Sequence, residues 1–228
     1  IDKGTGEYNK HGNDSWAYDQ RGFDYIMRDQ FGYNYALKDK IFETKDRNKF
    51  QRLIIKAAAN DNYPASHSNA GANTGAHIRD SYVHHLSQLA ELKVDERSYA
   101  PCILYKNGEY WGLYDIREKV DDPDFLDYYY DQDEEWVNSP NYIQYLATWG
   151  TTNTEYGAPN AQPDWDTFKN WVLSNPMSNQ ANYQIAKSQY NTGSLIDYFL
   201  INMYTVCMDW LNWNTSWWRG LDPNGDKK

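Results

Sequence analysis

The chain of 228 residues carries 22 Lys and Arg against 32 Asp and Glu, a formal net charge of -10 at pH 7 with a pI near 4.9. That length suffices for one large domain or two small lobes around a shared cleft, with a sizeable buried core. The acidic balance excludes a broad phosphate-backbone footprint, because nucleic-acid binders present a net basic face, so nucleic acid is not an expected partner.

Residues 1–29 mix Gly, Asn and Asp with alternating aromatics, and Arg21-Gly22-Phe23-Asp24-Tyr25-Ile26-Met27-Arg28 reads as a strand after turns. Helical spacing is expected over residues 31–50, then a strand at Arg52-Leu53-Ile54-Ile55-Lys56-Ala57 and a polar loop over 60–75. From His77 onward Ile78, Tyr82, Val83, Leu86, Leu89 and Leu92 recur at helical intervals and predict a long helix. Strands at 99–105 and 110–116 flank Lys106-Asn107-Gly108-Glu109, and Asn-Gly between alternating apolar residues signals a tight hairpin because both residues tolerate positive φ. A charged exit, Arg117-Glu118-Lys119-Val120-Asp121-Asp122-Pro123, leads into a helix over 123–130.

Residues 131–191 are polar and aromatic, with helical pieces expected at 139–147 and 165–173, and read as an insertion or a lobe of irregular helices. A last helix over 194–207 delivers the chain to Asp209; residues 215–219 read as a strand and 221–226 as a turn toward a further strand, so the end at Lys228 reads as a truncated hairpin. The longest apolar run, 198–208, is short of the roughly 20 residues that cross a bilayer and reads as a buried helix, with no membrane span expected. The opening Ile1-Asp2-Lys3-Gly4, without an initiator Met, reads as a processing site, a cut edge or the point where a disordered region is left out. Cys102 and Cys207, in a predicted strand and a predicted helix, read as free buried thiols. The aromatic content of 17 %, with 10 Trp and 21 Tyr, suits stacking on flat or sugar-like groups and suits ordinary packing as well.

Asp209-Trp210-Leu211-Asn212-Trp213-Asn214 places an Asn five residues after an Asp at the end of a buried helix. Protein kinases use this spacing: the Asp accepts the substrate hydroxyl proton and the Asn ligates Mg²⁺. On spacing alone, a helix-end loop capped by Asp and Asn accounts for the pattern as well.

Several further segments fall in a telling order: His11-Gly12-Asn13-Asp14-Ser15, Arg21 opening a strand, Ile78-Arg79-Asp80 opening the long helix, Leu104-Tyr105-Lys106-Asn107-Gly108-Glu109-Tyr110-Trp111-Gly112-Leu113-Tyr114, Ile116-Arg117-Glu118-Lys119-Val120-Asp121, and Asp209 with Asn214. In that order, over most of the chain, the sequence resembles the spore coat protein H (CotH) kinase family of atypical protein kinases. The Asn-Gly-Glu-Tyr-x-Gly-x-Tyr hairpin followed by Glu and Asp is the most specific part.

The resemblance implies an α+β, two-lobed protein-kinase-like fold, with a strand-rich nucleotide-binding lobe over 1–117 and a mainly helical catalytic lobe over 118–228 that holds the insertion 131–191. It implies a secreted or cell-surface, ATP-dependent enzyme that phosphorylates Ser or Thr on proteins with Mg²⁺ or Mn²⁺. Asp209 matches the family's catalytic aspartate and Asn214 the asparagine near the metal. The family's Trp-Asp-x-Asp would follow the hairpin that begins at Trp217 and is not reached by Lys228, so the second metal carboxylate is unassigned.

Where the family opens its early strand with Lys, this chain has Gln20-Arg21, which makes Arg21 the positional candidate for the phosphate-binding cation. Arg binds phosphate bidentately and keeps its charge. Lys56 competes for the role, since Ile54-Ile55-Lys56 resembles the strand Lys of ordinary kinases, with Glu91 as an ion-pair partner; the alternative is a surface lysine at a strand end. Arg79 stands to reach phosphate or a carboxylate, or to lie on a solvated helix face. Glu118 and Lys119 lie at the crossover where a nucleotide base is expected, as ribose contacts or as hinge salt bridges. His84 and His85 face opposite sides of a helix without a third ligand, which argues against zinc. Gly12 with Ser15 suits a phosphate-covering turn, although no full Gly-x-Gly-x-x-Gly or Walker pattern is present.

Two other classes compete. One is a catalytically inactive surface module whose aromatic segment 128–156 holds a glycan or a protein. The other is a glycoside hydrolase, which needs two carboxylates across a cleft; the close acidic pairs here, Asp121-Asp122 and Glu134-Glu135, are sequence neighbours and read as solvated charge.

Overall fold

The computed structural model describes residues 6–12, 16, 18–27, 36–62, 75–120, 123–132 and 142–225. Its mixed α and β elements group into two compact units, Ile1–Glu91 with Asp95–Phe125, and Leu92–Val94 with Leu126–Lys228.

The first unit is built from β1 (Gly6–His11), β2 (Gly22–Met27), β3 (Leu37–Lys38), β4 (Lys49–Phe50), β5 (Arg52–Lys56), α1 (Arg79–Leu89), β6 (Tyr99–Lys106) and β7 (Glu109–Glu118). Five of these strands form an antiparallel sheet in the order β1-β2-β5-β7-β6. The apolar run of β5 puts it in the middle, where Leu53 and Ile54 are buried and Arg52, Ile55 and Lys56 are half-buried. At the β6–β7 turn, Asn107 at φ 53° and Gly108 at φ 86° both adopt the left-handed region, the backbone twist that a two-residue hairpin requires.

Residues 36–50 do not form the helix that their spacing predicts. They run through β3 and β4 and deliver Phe42 and Phe50 to one core with Leu53, the two rings meeting edge to face at 5.5 Å. The aromatic contacts with the sheet outweigh the weak local helical signal. Residues 31–35 of the expected helix, and most of the expected loop at 60–75, lie outside the described residues.

Helix α1 also departs from expectation. Its predicted apolar stripe is not its buried face: Tyr82 is 57 % and Leu89 71 % exposed, Val83 and Leu86 are half-buried, and Ser81 and Ser87 are its buried residues. The helix presents a polar face to the sheet because charged side chains stand there to receive it.

The second unit holds the end of α2 (Pro123–Tyr130), β8 (Ile143–Trp149), β9 (Thr151–Gly157), α3 (Ala161–Ser174), α4 (Gln180–Gln189), α5 (Thr192–Tyr204) and β10 (Trp213–Gly220). The strand expected at 215–219 is thus found, and it pairs with β8 in a three-stranded antiparallel sheet ordered β10-β8-β9. The helix expected at 139–147 is corrected to a strand in its described part. Residues 143–146 are all buried, so the alternation that marks a half-exposed strand is absent and a short apolar run remains ambiguous.

Helices α3 and α5 match the helices expected near 165–173 and 194–207, whereas α4 was not expected, and α5 buries Ile201 but leaves Leu200 and Met203 exposed, so it is not the buried helix its apolar run suggests. Asn179 accepts from the Ala181 amide at 2.9 Å and Asn191 from the Ser194 amide at 3.1 Å, each satisfying an otherwise orphaned donor at a helix start. Trp165 of α3 stacks on Trp217 of β10 at 5.6 Å, with Tyr190 against both rings. Within the segment expected to bind a glycan, Tyr145 is buried and stacks on Tyr156 at 4.4 Å, so these two rings serve packing. No described helix is long and apolar enough to cross a membrane.

Candidate functional site

Among the described residues, two clusters of chemically capable side chains contain sequence-predicted site residues at their centre, one in each unit. In the first unit, β5 ends on Lys56, whose cross-strand neighbour on β7 is Asp115, two residues before Arg117 on the same face. Helix α1 places Asp80 and Ser81 in its first turn opposite these residues. The Lys56 ammonium and the Arg117 guanidinium both donate to Oδ2 of Asp80. Arg117 also donates through Nη2 to Ser81 Oγ at 2.6 Å and to Asp115 Oδ2 at 3.0 Å, and Ser81 Oγ donates to Asp115 at 3.0 Å.

Burial works against the charge on Lys56 and pulls its pKa down, opposed by Asp80. The same burial favours a neutral Asp80, yet the two neighbouring cations prevail and hold its carboxyl well below the usual range. His84, one turn along α1, stands 3.6 Å from Asp80 Oδ1 and accepts the Arg97 amide proton at Nδ1. Burial keeps it neutral, its pKa pushed down to about 3.

The expected partner of Lys56 was Glu91; the partner is Asp80. Helix α1 ends at Leu89, and Glu91 lies beyond it with φ 51°. The sequence pattern concealed Asp80 because a carboxylate in a helical first turn is a common device against the helix dipole.

Arg79 stands 55 % exposed with Nε 3.3 Å from Asp61. The Asp61 carboxylate also accepts the amides of Ala76 and Arg79 at 2.7 and 2.9 Å, so a carboxylate already fills the start of α1. Arg21 is exposed just before β2, donates to the Tyr18 carbonyl at 3.3 Å, and lies 5.5 Å from the Trp16 ring centroid, with Lys10 at 5.6 Å from the same ring. Two cations, one near the end of β1 and one just before β2, therefore stand around one indole. His11, the last residue of β1, hydrogen-bonds Asp24 at 2.9 Å, and Ser15 of the expected phosphate-covering turn lies outside the described residues.

Glu118 does not face solvent. Its side chain is 0 % exposed, one oxygen accepting from Arg47 at 2.8 Å and the other from the Ser98 amide at 2.9 Å. This placement fits the salt-bridge alternative and not a ribose contact. Lys119 stands 3.9 Å from Asp24.

In the second unit, Asp209, in the segment between α5 and β10, and Asn214, at the register shift near the start of β10, are both exposed, with Asn214 Nδ2 donating to Asp209 Oδ2 at 2.7 Å. Their spacing in sequence thus becomes a side-chain contact. The chain over 206–214 is held in an unusual shape, with Val206, Leu211 and Asn214 at φ 54°, 68° and 55°. For a β-branched Val this conformation is a genuine outlier, maintained only where the surroundings over-determine it.

Val206 itself is 76 % exposed at the turn that ends α5, and the anchors lie further along, from Trp210 to Thr215. Tyr198 of α5 accepts the Leu211 amide proton at 3.4 Å, and its hydroxyl meets Thr215 Oγ1 at 2.6 Å, so one phenol anchors both flanks of the loop. Trp210 packs on Tyr198 and Phe199, and the Gly150 amide at the β8–β9 turn donates to the Asn212 carbonyl at 2.6 Å. Tyr198 escaped sequence reasoning because an aromatic on an apolar helix reads as core.

The hydrogen bond leaves the amide oxygen of Asn214 and the second carboxylate oxygen of Asp209 available to other partners. The amide oxygen fits a hard divalent cation that keeps several waters and takes few protein ligands, and the carboxylate oxygen fits a proton acceptor. Among the described residues no group of three or more His, Cys, Asp or Glu is disposed to hold a metal.

The family model described as CotH kinase protein matches residues 11–228. No curated protein matches the chain. The order of motifs from the β1–β2 connection to the Asp209 loop and the match over nearly the whole length agree: the chain belongs to the CotH kinase family.

Proposed function

We propose that this protein is an ATP-dependent protein kinase that transfers the γ-phosphoryl group to Ser or Thr of secreted or cell-surface proteins, within a two-lobed kinase-like arrangement. The observation that carries the reading is the contact between Asp209, on the anchored segment after α5, and Asn214, at positive φ near the start of β10, in a chain of a kinase family. Asp209 accepts the proton of the attacking hydroxyl and orients it, using the oxygen that Asn214 leaves unused. Asn214 offers its amide oxygen to Mg²⁺ or Mn²⁺, which when bound neutralises charge on the phosphates.

The Lys56–Asp80 pair has the form of the strand-lysine and helix-acid pair that phosphoryl transfer uses to position ATP. Lys56 is therefore assigned to the phosphates. Arg21, exposed beside Trp16, is assigned to the outer face of the same nucleotide, while Arg79, held by Asp61, is not. Phosphoryl transfer demands little covalent chemistry of the protein, so positioning and charge stabilisation by these side chains suffice.

The test is phosphate transfer from γ-labelled ATP to protein in the presence of Mg²⁺ or Mn²⁺, with mass-spectrometric location of phospho-Ser or phospho-Thr. Asp209→Ala is expected to lower kcat by roughly 10²–10⁴, the range of general-base contributions, with little change in thermal stability because the residue is exposed. Undiminished transfer by a folded Asp209→Ala protein would sink the assignment.

A further inference from the structure

We infer that Arg117 is a positioning residue for Lys56: it holds Asp80 on the sheet, so that the Lys56–Asp80 pair stands assembled without nucleotide and two N–H donors of the ammonium remain for phosphate oxygens. The inference rests on the kinase reading of Lys56 given above.

Arg117 is 1 % exposed and lies on β7, on the face it shares with Asp115 and with Lys56 opposite. Its guanidinium spans two consecutive residues of α1, Asp80 through Nη1 and Ser81 through Nη2, and ties the second of these to Asp115 of its own strand. A lysine has one point of charge where this geometry uses a fork.

Nothing else in the first turn does this work by apolar packing, because Ser81 is the buried residue there while Ile78 and Tyr82 are 59 % and 57 % exposed. Within the hydrogen-bonded cluster the charges balance, Lys56 and Arg117 facing Asp80 and Asp115 with His84 neutral, while Arg97 adds positive charge from outside it. Each carboxylate is thereby matched by a cation. An ammonium has three donors, and Asp80 engages one. Without Arg117, Asp115, 4 % exposed, would lose its cation, and Asp80 would be held by Lys56 alone. Lys56 would then act as the clamp on α1 as well as the contact to phosphate. A helix turn free to shift by an ångström carries the acid with it, and small misplacements of a charge-positioning group cost up to about 10²-fold in rate.

The experiment compares Arg117→Gln, Arg117→Lys, Asp80→Asn and the double variant Arg117→Gln/Asp80→Asn in the full chain. Arg117→Gln is expected to lower kcat about 10–100-fold with the KM for ATP within about threefold, and the double variant to be no slower than Asp80→Asn alone, since both changes break one unit. Arg117→Lys, which keeps the charge without the fork, should recover only part of the loss. It also carries the test if Arg117→Gln does not fold. Independent of catalysis, amide hydrogen exchange in the first turn of α1, at residues 82–84, should quicken at least tenfold in Arg117→Gln while the sheet amides of β5 stay protected. An unchanged kcat, losses that multiply in the double variant, or exchange that quickens uniformly across the unit would each overturn the proposal. A wild-type protein that transfers no phosphate would instead sink the kinase reading, and the exchange pattern would then decide whether Arg117 positions α1.

Discussion

Glu118 offers the clearest separation of a structural from a nucleotide-binding role. Replacing it by Ala removes a carboxylate that is 0 % exposed and leaves the Arg47 side chain, 2 % exposed, without the anion now 2.8 Å away. The Ser98 amide loses its acceptor at the same time. Breaking one side of a buried ion pair typically costs about 3–5 kcal/mol, because a charge stays desolvated without compensation. The rings of Phe50 and Phe125, with centroids 4.5 and 5.6 Å from the guanidinium carbon, offset part of that loss, so the lower half of the range is expected. For a chain of this size each kcal/mol moves Tm by roughly 2–4 °C, which gives a drop of about 6–16 °C for about 3–4 kcal/mol. Urea titration followed by tryptophan fluorescence should show a lower midpoint at unchanged slope. Glu118→Gln, which keeps the acceptor but not the charge, should lose about half as much. A loss below about 1 kcal/mol in Glu118→Ala, or weakened ATP binding at full stability, would refute the argument and return Glu118 to the nucleotide.

Other perturbations test the second unit and the charge network. Gly157 has φ 87°, and a Cβ there would lie 1.9 Å from the Ile143 carbonyl oxygen, so Gly157→Ala should cost more than about 2 kcal/mol by strain and clash together. At Gly150, φ 75°, the nearest atom is a Trp213 ring carbon at 3.4 Å, so Gly150→Ala should cost only the backbone strain of about 1 kcal/mol; equal losses at the two sites would contradict this reading. Asn214, at φ 55°, should tolerate Gly better than Ala in stability, yet both variants should need more Mg²⁺ for half-maximal transfer; unchanged metal dependence would remove Asn214 from the metal site. His84, neutral in the fold with a pKa near 3, has a folded value below its ordinary 6.5. Between those two values the unfolded chain binds the extra proton, so stability falls as pH drops through that window, by at most about 1.4 kcal/mol per pH unit. His84→Gln should flatten that slope in urea midpoints measured from pH 7 to pH 4; parallel curves would disprove the linkage.

The legible parts of the fold are those where local chemistry and tertiary demand coincide. Asn107-Gly108 needs positive φ at both residues whatever surrounds it, and the run Arg52 to Lys56 is apolar enough to sit only in the middle of a sheet. Residues 36–50 and 143–147 were misread for opposite reasons. In the first, scattered aromatics gave an accidental helical spacing, although Phe42 and Phe50 reach their common core from extended chain. In the second, a strand covered on both faces loses its alternation, and only the pairing of Ile143 with Gly220 and Gln144 with Gly157 reveals what it is. The partly exposed apolar stripe of α1 is a third case, since periodicity locates a stripe but does not say which face turns to the sheet.

The same distinction divides the functional residues. Asp209 and Asn214 could be found because the segment from the end of α5 into β10 is local, so their spacing in sequence survives as a spacing in space. The Lys56 pair was half legible: strand position marks the lysine, but its acid is set by where α1 starts, and that start depends on Asp61 capping it from 18 residues upstream. Arg117 was wholly concealed, because a cation in a charged strand exit reads as surface until the sheet buries it to 1 % exposure against Asp80, Ser81 and Asp115. A buried arginine of this kind is expensive to desolvate and is tolerated here with Nη1 and Nη2 engaged and Nε left without a hydrogen bond, which is why the three partners, and not the cation, would have been the signal to seek. Two of them, Asp80 and Ser81, are adjacent in sequence, and Asp115 stands two residues before Arg117 on its own strand. The pattern Asp-Ser at a helix start with Asp-x-Arg on a later strand is therefore the readable trace of this network, and it joins the lysine strand to the helix through side chains that the kinase spacing rules leave unmentioned.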